Sequence, residues 1–523
     1  MTTPSSPYDT YTSPLATRNA SEEMLTLWSA RHKFNTWRRI WLAVAEAQHE
    51  MGLPVTKEQV EELRAAVNRP GGITDAEIKL AEKYERELRH DVMAHVHALG
   101  DSCPKAKGII HLGMTSQDVV CNADWMTLGS AAALVCTKIA RAVIHLGWQA
   151  QANASIPTLG WTHYQPAQPT TVGRRMANWS YDLFLCRERH HGIWKFNLAR
   201  GVRGATGTQA SFLALAKSGV AAVQQPDPGS ASYLVGELER KVVANLDRSG
   251  WNTEWEFEDW GSNTHALVGQ TYPRVVDTFI LADLASTASV LHKIATDVRL
   301  LCNRKELDEP FEDKQIGSSA MPYKRNPMRC ERICGLARFV MNLVGNAYDT
   351  AATQWLERTL DDSSNRRLSL PEAFLALDGA LDLMHNVASG LIVHEAMVKK
   401  NLMAELPFMA TENIMMECVK LGGDRQHYHE LIRQHAQAAG LRVKQEGLDN
   451  DLLERLKSDQ NFWGKSRGGP LAAELNWDGV MDPMKYVGRS VEQTERFIKE
   501  VVEPLREQYK DAIATLGKSG PKV

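Results

Sequence analysis

The sequence predicts an all-α fold, and the helical spacing of its apolar residues is the main observation behind this prediction. The clearest run consists of Leu281, Leu284, Ala288, Leu291, Ala295, Val298 and Cys302, separated by alternating steps of three and four. Such a heptad pattern predicts one long helix in a bundle of nearly parallel or antiparallel helices. A second run, Ile139–Ala150, has the same helical spacing, and strand-like alternation is scarce.

Composition narrows the class of protein. The net charge of −3 over 523 residues provides no basic field for nucleic acid. The longest apolar runs, such as Ala131–Cys136, are too short to span a membrane. The eight cysteines are scattered and form no Cys-x-x-Cys motif, which is typical of reduced thiols. We therefore expect a cytoplasmic protein that binds neither nucleic acid nor membranes.

The chain divides into a lead segment and three helical regions. Residues 1–17 are rich in Ser, Thr and Pro, and are predicted to be a disordered lead. Residues 18–115 are predicted to form an N-terminal helical domain, 116–393 a central helical bundle, and 394–523 a C-terminal helical domain with a frayed tail. The segment 225–263, which contains three tryptophans, is predicted to be rich in loops.

Two segments in the first quarter of the chain combine small polar residues with charged ones. Arg89-His90-Asp91 lies inside a helical pattern that ends near Gly100, and on its own it is better explained by an ion pair on a helix face than by a binding site. Thr115 and Asp118 form a capping box at the start of the next helix. The same helix start offers unpaired N–H groups to a carboxylate, so a structural and a binding interpretation both stay open.

A third polar segment, Gly160–Gln168, places His163 among turn-forming residues and hydroxyls just before a helix. Thr162, Tyr164 and Gln165 can fix the tautomer of the imidazole by hydrogen bonding. A histidine held in this way is suited to proton transfer.

The fourth segment, Gly317–Arg329, reads GSSAMPYKRNPMR and is the most informative part of the chain. Pro322 and Pro327 exclude a regular helix here, which predicts a loop that carries serines and cations. Further cations follow beside Ser, Thr and Asp, a pattern typical of a site for an anion with phosphate and carboxylate groups. These further cations are Arg332, Arg358, Arg366 and Arg367.

Three of these segments resemble, in order, the shared motifs of the fumarase/aspartase superfamily. The matching residues are Thr115-Ser-x-Asp-x-x-x-Asn122, Thr162-His-x-Gln-x-Ala167 and Gly317-Ser-Ser-x-Met-Pro-x-Lys-x-Asn-Pro327. Within the superfamily, the segments Arg89–Asp91, Gly269–Tyr272 and Glu357–Arg367 resemble adenylosuccinate lyases of the animal type. The resemblance extends from about Arg18 to Arg506.

The resemblance implies an all-α fold of three domains, in which the central bundles of four subunits form one core. It also implies active sites where three subunits meet, with no metal and no organic cofactor. The implied reaction is elimination of fumarate from a succinyl-amine in purine synthesis. Adenylosuccinate would give AMP, and SAICAR would give AICAR.

By the same resemblance, Ser318 is the base, His163 is the general acid, and Lys324 with loop N–H groups stabilises the serine alkoxide. The residues themselves leave open whether Ser318 or Ser319 is the base. The matched substrate-binding positions are Arg18, Asn19, Arg89, His90, Asp91, Thr115, Ser116, Gln270, Asn326, Arg332, Arg358, Ser363 and Arg367. Of these, Arg18, Arg358, Ser363 and Arg367 are expected to hold a phosphate. Lys324, Asn326, Thr115 and Ser116 are expected to hold the succinyl carboxylates.

Two features depart from the family. Its members usually have Arg-Tyr near the N-terminus, whereas this chain has Arg18-Asn19, and the segment before Gly269 is expanded.

Two alternative functions stay open. Argininosuccinate lyase shares the chemistry but needs no phosphate site, and a crystallin-like structural protein on this fold could lose Ser318 or His163 without penalty.

Overall fold

Short helices with polar caps form the N-terminal part of the chain in this computed structural model, which describes residues 6–193, 198–220, 228–246, 264–463 and 475–517. The helices are α1 (Glu22–Leu27), α2 (Ala30–Glu50), α3 (Lys57–Val67), α4 (Asp75–Leu88) and α5 (Asp91–Ser102). Ser21, Ser29, Thr56 and Thr74 each begin a helix by accepting a backbone N–H. The predicted lead, 1–17, overlaps two helical turns, Pro7–Asp9 and Leu15–Asn19.

The triplet Arg89-His90-Asp91 lies at a helix break, so its prediction inside a helix was wrong. Arg89 has a left-handed backbone conformation (φ 54°), which ends α4. His90 is extended and caps α5 by accepting the Met93 N–H at its Nδ1 atom. The three residues therefore do not share one continuous helix face.

A bundle of long helices forms the centre of the molecule. Its members are α6 (Ser116–Ala152), α7 (Val172–Ile193), α10 (Val275–Asn303), α11 (Met328–Ala352) and α12 (Asp361–Gly390). The predicted seam falls within α10, where Leu284, Ala288 and Leu291 are fully buried. The all-α prediction is confirmed, because helices account for most of the described residues.

Two smaller helices, α8 (Ala210–Val220) and α9 (Pro228–Leu246), share a hydrophobic cluster with α2 and the first part of α6. The prediction that 225–263 is rich in loops was wrong for α9. Val235, Leu238 and Val242 repeat at helical spacing and are buried, which stabilises this segment as a helix. Trp251, Trp255 and Trp260, which belong to the same prediction, lie outside the described residues.

Two short antiparallel ribbons accompany the helices. β1 (Pro157–Thr162) pairs with β2 (Gln165–Thr171), and β3 (Leu307–Asp308) pairs with β4 (Ile392–Val393). His163 and Tyr164 connect β1 to β2 and have φ values of 53° and 55°. Two positive φ values in a two-residue connection are the backbone signature of a type I′ hairpin turn.

The remaining helices follow β4 toward the C-terminus. They are α13 (Glu395–Met409), α14 (Thr411–Lys420), α15 (Arg425–Leu441), α16 (Leu452–Ser458), α17 (Gln460–Trp463), α18 (Trp477–Val480), α19 (Ser490–Phe497) and α20 (Glu503–Thr515). Helical turns also occur at Arg442–Glu446, Pro483–Tyr486 and Ile498–Val502. α14 to α18 enclose a hydrophobic cluster of their own, whereas α20 packs on the bundle core. The predicted domain limits at 115/116 and 393/394 stay predictions.

A buried ion cluster joins α6 to α12. Lys138 Nζ lies 2.5 Å from Asp378 Oδ1 and 2.8 Å from Asp382 Oδ2, and Arg141 pairs with Asp382 at 2.7 Å. Asp378 also accepts the Ser21 backbone N–H at 2.7 Å. The cluster therefore fixes the segment that contains Arg18 and Asn19 against the bundle.

Two of the described helices, α6 and α10, are long and apolar enough to cross a membrane by length and composition alone. In α6, 94% of the most apolar window is buried inside the protein, and in α10 the figure is 56%. Core helices of a bundle have the same composition, so these two helices are weak evidence for a membrane span.

His190 is buried and His385 is partly buried, and within the described residues neither has a carboxylate side chain as an ion-pair partner. Burial lowers the pKa of His190 to about 4 and that of His385 to about 3. His190 Nε2 lies 2.9 Å from the Thr287 hydroxyl. Between pH 6.5 and about 4 these side chains are neutral in the folded protein and take up protons only on unfolding.

We expect the urea midpoint of unfolding to fall as the pH is lowered from 6.5 toward 4, and to fall less steeply in His190→Gln. The unfolded chain binds the extra proton in this window, and each pKa unit is worth about 1.4 kcal/mol. Buried carboxyls such as Asp283, whose pKa is raised by burial, act in the opposite sense, so the comparison is made between variants. Exposed His427→Gln is the control, and equal slopes in the two variants would contradict the prediction.

Candidate active site

The predicted serine loop, residues 317–327, is irregular and precedes α11, as its two prolines require. Ser318 Oγ accepts a hydrogen bond from the Met321 backbone N–H at 3.2 Å. Asn326 Nδ2 closes the loop by donating to the Gly317 carbonyl at 2.9 Å. A Cβ atom at Gly317 would lie 2.2 Å from the Lys324 carbonyl oxygen, so this close approach requires glycine.

The loop gives its polar side chains different surroundings. Ser318 is half-buried, whereas Ser319 and Lys324 are exposed. In the part of the chain that the structure describes, no hydrogen bond or ion pair joins Lys324 to Ser318. The backbone N–H of Met321 is therefore the donor that this conformation supplies to the Ser318 oxygen.

A buried carboxylate holds the far end of the loop. Glu309, 5% exposed, accepts the backbone N–H groups of Arg329 at 2.9 Å and Cys330 at 3.1 Å. These N–H groups belong to the first turn of α11, whose N-cap residue, Pro327, provides no side-chain hydrogen bond. Burial raises the pKa of the Glu309 carboxyl, and the two N–H donors oppose that shift. Glu309 is a positioning residue that the sequence analysis missed.

His163 lies at the tip of the β1–β2 hairpin with its imidazole exposed. Its neighbour Tyr164 stacks on Trp161 at 5.5 Å, and the Arg304 guanidinium lies 4.8 Å from the Trp161 ring. These contacts hold the hairpin next to its turn, while the imidazole of His163 remains exposed. Within the described residues, no hydrogen bond joins His163 to the serine loop or to the other predicted site positions.

The capping box at the start of α6 is confirmed by the hydrogen bond from the Thr115 N–H to Asp118 Oδ2 at 2.7 Å. Asp118 is completely buried and also pairs with Arg200 and accepts the Arg203 N–H at 2.7 Å. It therefore ties the helix start to the loop around residue 200. Ser116, on the same turn, lies 3.3 Å from His90 Nε2 through its hydroxyl.

A cavity of about 350 Å³ lies between the start of α2, α6 and α12. Arg358, Ser363 and Arg367, three of the residues predicted to hold a phosphate, line it together. Arg367 pairs with Asp91 at 2.6 Å, and this contact outweighs burial and lowers the pKa of Asp91. Arg358 donates to Gln270 Oε1 at 3.0 Å, which brings a further predicted position to the cavity.

Further charged residues on the cavity wall were not predicted as site residues. Arg274 and Arg358 share the buried Asp362, at 2.7 Å and 3.2 Å, and together they outweigh burial and lower its pKa. Arg366 pairs with Asp277 at 2.7 Å, and Lys33 reaches the cavity from α2. Sequence offered no signal for Lys33, because a single lysine on a helix is most often solvated.

Arg18, the fourth residue expected at the phosphate, does not line this cavity. It lies near Arg332 on α11, whose pKa is lowered by burial and then by the charge of Arg18. Asn19 Nδ2 donates to the Pro14 carbonyl at 3.0 Å, so its side chain serves its own helical turn. Arg89 is exposed at the break between α4 and α5. Within one chain, the predicted site positions therefore lie in separate places, which include the cavity, the serine loop with Arg332, and the hairpin tip.

Two family models match the chain. The model described as "Lyase" matches residues 16–218 and 263–342, and the one described as "Adenylosuccinate lyase C-terminus" matches residues 407–497. The first match is interrupted at 219–262, where the sequence was predicted to be expanded. The "Lyase" match includes the segments around Thr115, His163 and Ser318, whereas the segment Glu357–Arg367 lies outside both matches.

Curated relatives match over nearly the whole chain. Adenylosuccinate lyase of Schizosaccharomyces pombe is 46% identical over 97% of this chain and 98% of the relative. The chain belongs to the adenylosuccinate lyase family. The family prediction is thereby confirmed. Adenylosuccinate lyases of Saccharomyces cerevisiae, at 44% identity over 95% of each chain, and Schistosoma mansoni, at 40% over 97% of this chain and 98% of the relative, are similar as well.

Solved structures with the same fold include more distant proteins. The 3-carboxy-cis,cis-muconate lactonizing enzyme of Pseudomonas putida superposes on this lyase with a TM-score of 0.74, at 22% identity, over 94% of this chain and 99% of the other. A fumarate lyase of Mesorhizobium sp. BNC1 gives 0.73 at 20% identity, over 94% and 100%. These likenesses establish the fold of the lyase.

We expect Glu309→Ala to lower both the thermal stability of the lyase and its turnover. Two N–H groups at the start of α11 would lose a buried acceptor, which costs about 1–3 kcal/mol, and the serine loop would lose its anchor. Glu312→Ala is the matched control. Glu312 is exposed and pairs with the side chain of Arg329, whereas Glu309 accepts the backbone N–H groups. Equal melting temperatures for the two variants would show that Glu309 has no special role.

Proposed function

We propose that the chain eliminates fumarate from adenylosuccinate to give AMP, and from SAICAR to give AICAR. The observation that carries this proposal is the presence of Arg358, Ser363 and Arg367 on one cavity. A hydroxyl between guanidinium groups is a favourable arrangement for a phosphate monoester. Argininosuccinate lyase, the nearest alternative, needs no phosphate site, and the full-length relatives named above are adenylosuccinate lyases.

Ser318 acts as the base in this proposal. It removes the proton beside a succinyl carboxylate, and the electron pair left behind gives a doubly negative aci-carboxylate. The Met321 N–H at 3.2 Å supports the choice of Ser318 over Ser319, because it stabilises negative charge on the serine oxygen. Lys324 approaches when the loop closes on substrate and adds a positive charge next to Ser318.

His163 acts as the general acid. As the carbon–nitrogen bond breaks, its imidazolium donates a proton to the leaving nitrogen, so that fumarate and the amine product separate. Thr115, Ser116 and Asn326 hold the succinyl carboxylates, and His90 supports Ser116 through their contact at 3.3 Å. Asn326 Nδ2 donates one hydrogen to the Gly317 carbonyl, and its second hydrogen can reach a carboxylate oxygen. A crystallin-like role fits less well because both Ser318 and His163 are present.

The active form in this proposal is a homotetramer whose sites combine residues from three subunits. Within the described residues, no hydrogen bond or ion pair joins the hairpin tip, the serine loop and the cavity to one another, which supports a site completed by partner chains. Apolar side chains on the bundle surface support this assembly, since Phe279, Leu360 and Leu368 are 37%, 71% and 64% exposed. The cytoplasm is the proposed location, because all eight cysteines are described and all are free.

We expect the purified protein to release fumarate from adenylosuccinate, and Ser318→Ala to lower kcat by about a thousandfold or more. His163→Ala should cause a comparable loss for adenylosuccinate, whose leaving nitrogen needs a proton. Ser319→Ala is the matched control, because it removes the adjacent hydroxyl and leaves Ser318 intact. This variant should retain most of the activity. A folded tetramer that releases fumarate from argininosuccinate instead would contradict the proposed substrate.

Mixing the two inactive variants tests whether sites are shared. If Ser318 and His163 of one site come from different chains, randomly mixed tetramers contain both groups in about a quarter of their sites. Activity should then reappear after joint refolding of Ser318→Ala with His163→Ala. No recovery, in mixtures whose hybrid tetramers are verified by differently tagged subunits, would place both groups in one chain.

A further inference from the structure

The cations of the cavity differ in how they are neutralised. Within the described residues, each guanidinium on its wall has a carboxylate partner. Arg274 and Arg358 pair with Asp362, Arg366 pairs with Asp277 and Asp124, and Arg367 pairs with Asp91, all within 3.2 Å. Lys33 also lines the cavity, yet no carboxylate of the described chain lies within ion-pair distance of its ammonium group.

The surroundings of Lys33 keep its ammonium away from bulk water without neutralising it. The Nζ atom lies 4.8 Å from the Trp37 ring centre and 5.3 Å from that of Phe34. Burial lowers its pKa, and the charge of Arg367 lowers it further, while the charges of Asp91 and Asp124 have smaller, opposite effects. Aromatic faces attract a cation but carry no net charge, so the site still lacks an anion.

An anion that binds in the cavity must compete with Asp91 for the Arg367 guanidinium. That guanidinium is held by Asp91, and 55% of its side chain is exposed, so it can turn toward a ligand. Lys33 is electrostatically coupled to both members of this pair. A dianion that enters the cavity would meet Arg367 from one side and the unneutralised Lys33 from the other.

We propose that Lys33 is a further substrate-binding residue, which contacts the phosphate monoester of the substrate in this cavity together with Ser363 and Arg367. The inference rests on the proposed function and adds a cation that the family motifs do not contain. The positive charge of Lys33 attracts a phosphate but not a neutral nucleoside. The contribution of Lys33 to binding should therefore be specific for the phosphate.

The test compares a substrate that carries the phosphate with one that lacks it. Lys33→Met keeps the length of the side chain and removes its charge, and Lys33→Arg restores the charge. For adenylosuccinate, we expect Lys33→Met to raise KM by about tenfold or more and to change kcat much less, with partial recovery in Lys33→Arg. For succinyladenosine, which has no phosphate, the KM of Lys33→Met should match that of the parent. Lys57→Met, on the exposed face of α3, is the matched control for loss of one positive charge.

Product binding provides a readout that does not need turnover. Calorimetry should show weaker binding of AMP by Lys33→Met than by the parent, with adenosine binding unchanged, and weaker binding of inorganic phosphate. An equal loss for AMP and adenosine would assign Lys33 a structural role, and an unchanged AMP affinity would remove it from the site; either result overturns the inference. If the parent released no fumarate from adenylosuccinate, the proposed function would fail, while the AMP and phosphate titrations would still decide the role of Lys33.

Discussion

The completely buried pair of Asp118 and Arg200 is the interaction on which the arrangement of the site depends. Asp118 lies in the first turn of α6 and binds the Thr115 N–H, the Arg200 guanidinium and the backbone of the loop that follows. Asn122, one turn later, exchanges hydrogen bonds with the Gly201 backbone in both directions. An unpaired charge at either position would be costly in this environment. The start of α6 is thereby fixed, and with it the hydroxyls of Thr115 and Ser116.

Buried carboxylates organise the cavity in the same way. Asp362 orients Arg274 and Arg358, and Asp277 orients Arg366 together with the Tyr272 hydroxyl. The guanidinium groups are therefore held in place by the fold itself, which would reduce the entropy lost in binding the proposed substrate. Gly269 contributes to this order, because a Cβ atom there would lie 2.6 Å from the Glu357 carbonyl oxygen. Its close approach connects the Gln270 segment to the segment that carries Arg358.

Sequence predicted the bundle and the serine loop well because their signals are local. The heptad of α10 reports burial directly, and two prolines exclude a helix over residues 317–327. It failed at Arg89, where a left-handed residue interrupts an otherwise helical pattern, and at α9, where Pro226 and Pro228 at the start of the segment obscured a regular apolar spacing. Glu309 and Lys33 could not be identified, because their significance comes from groups about 20 and 330 residues away in the chain. The assignment of the individual site residues stays a prediction.

The hairpin turn at His163 and Tyr164 has a consequence for how this fold can change. Type I′ turns favour Asn-Gly, because both central residues have positive φ and most residues with a Cβ atom are strained in that conformation. This chain instead places an imidazole and a phenol ring there, at φ values of 53° and 55°. The sequence that would best stabilise the hairpin is thus one that lacks the imidazole. Selection for thermostability alone would favour a glycine at this tip, and under the proposed mechanism that change would remove the general acid.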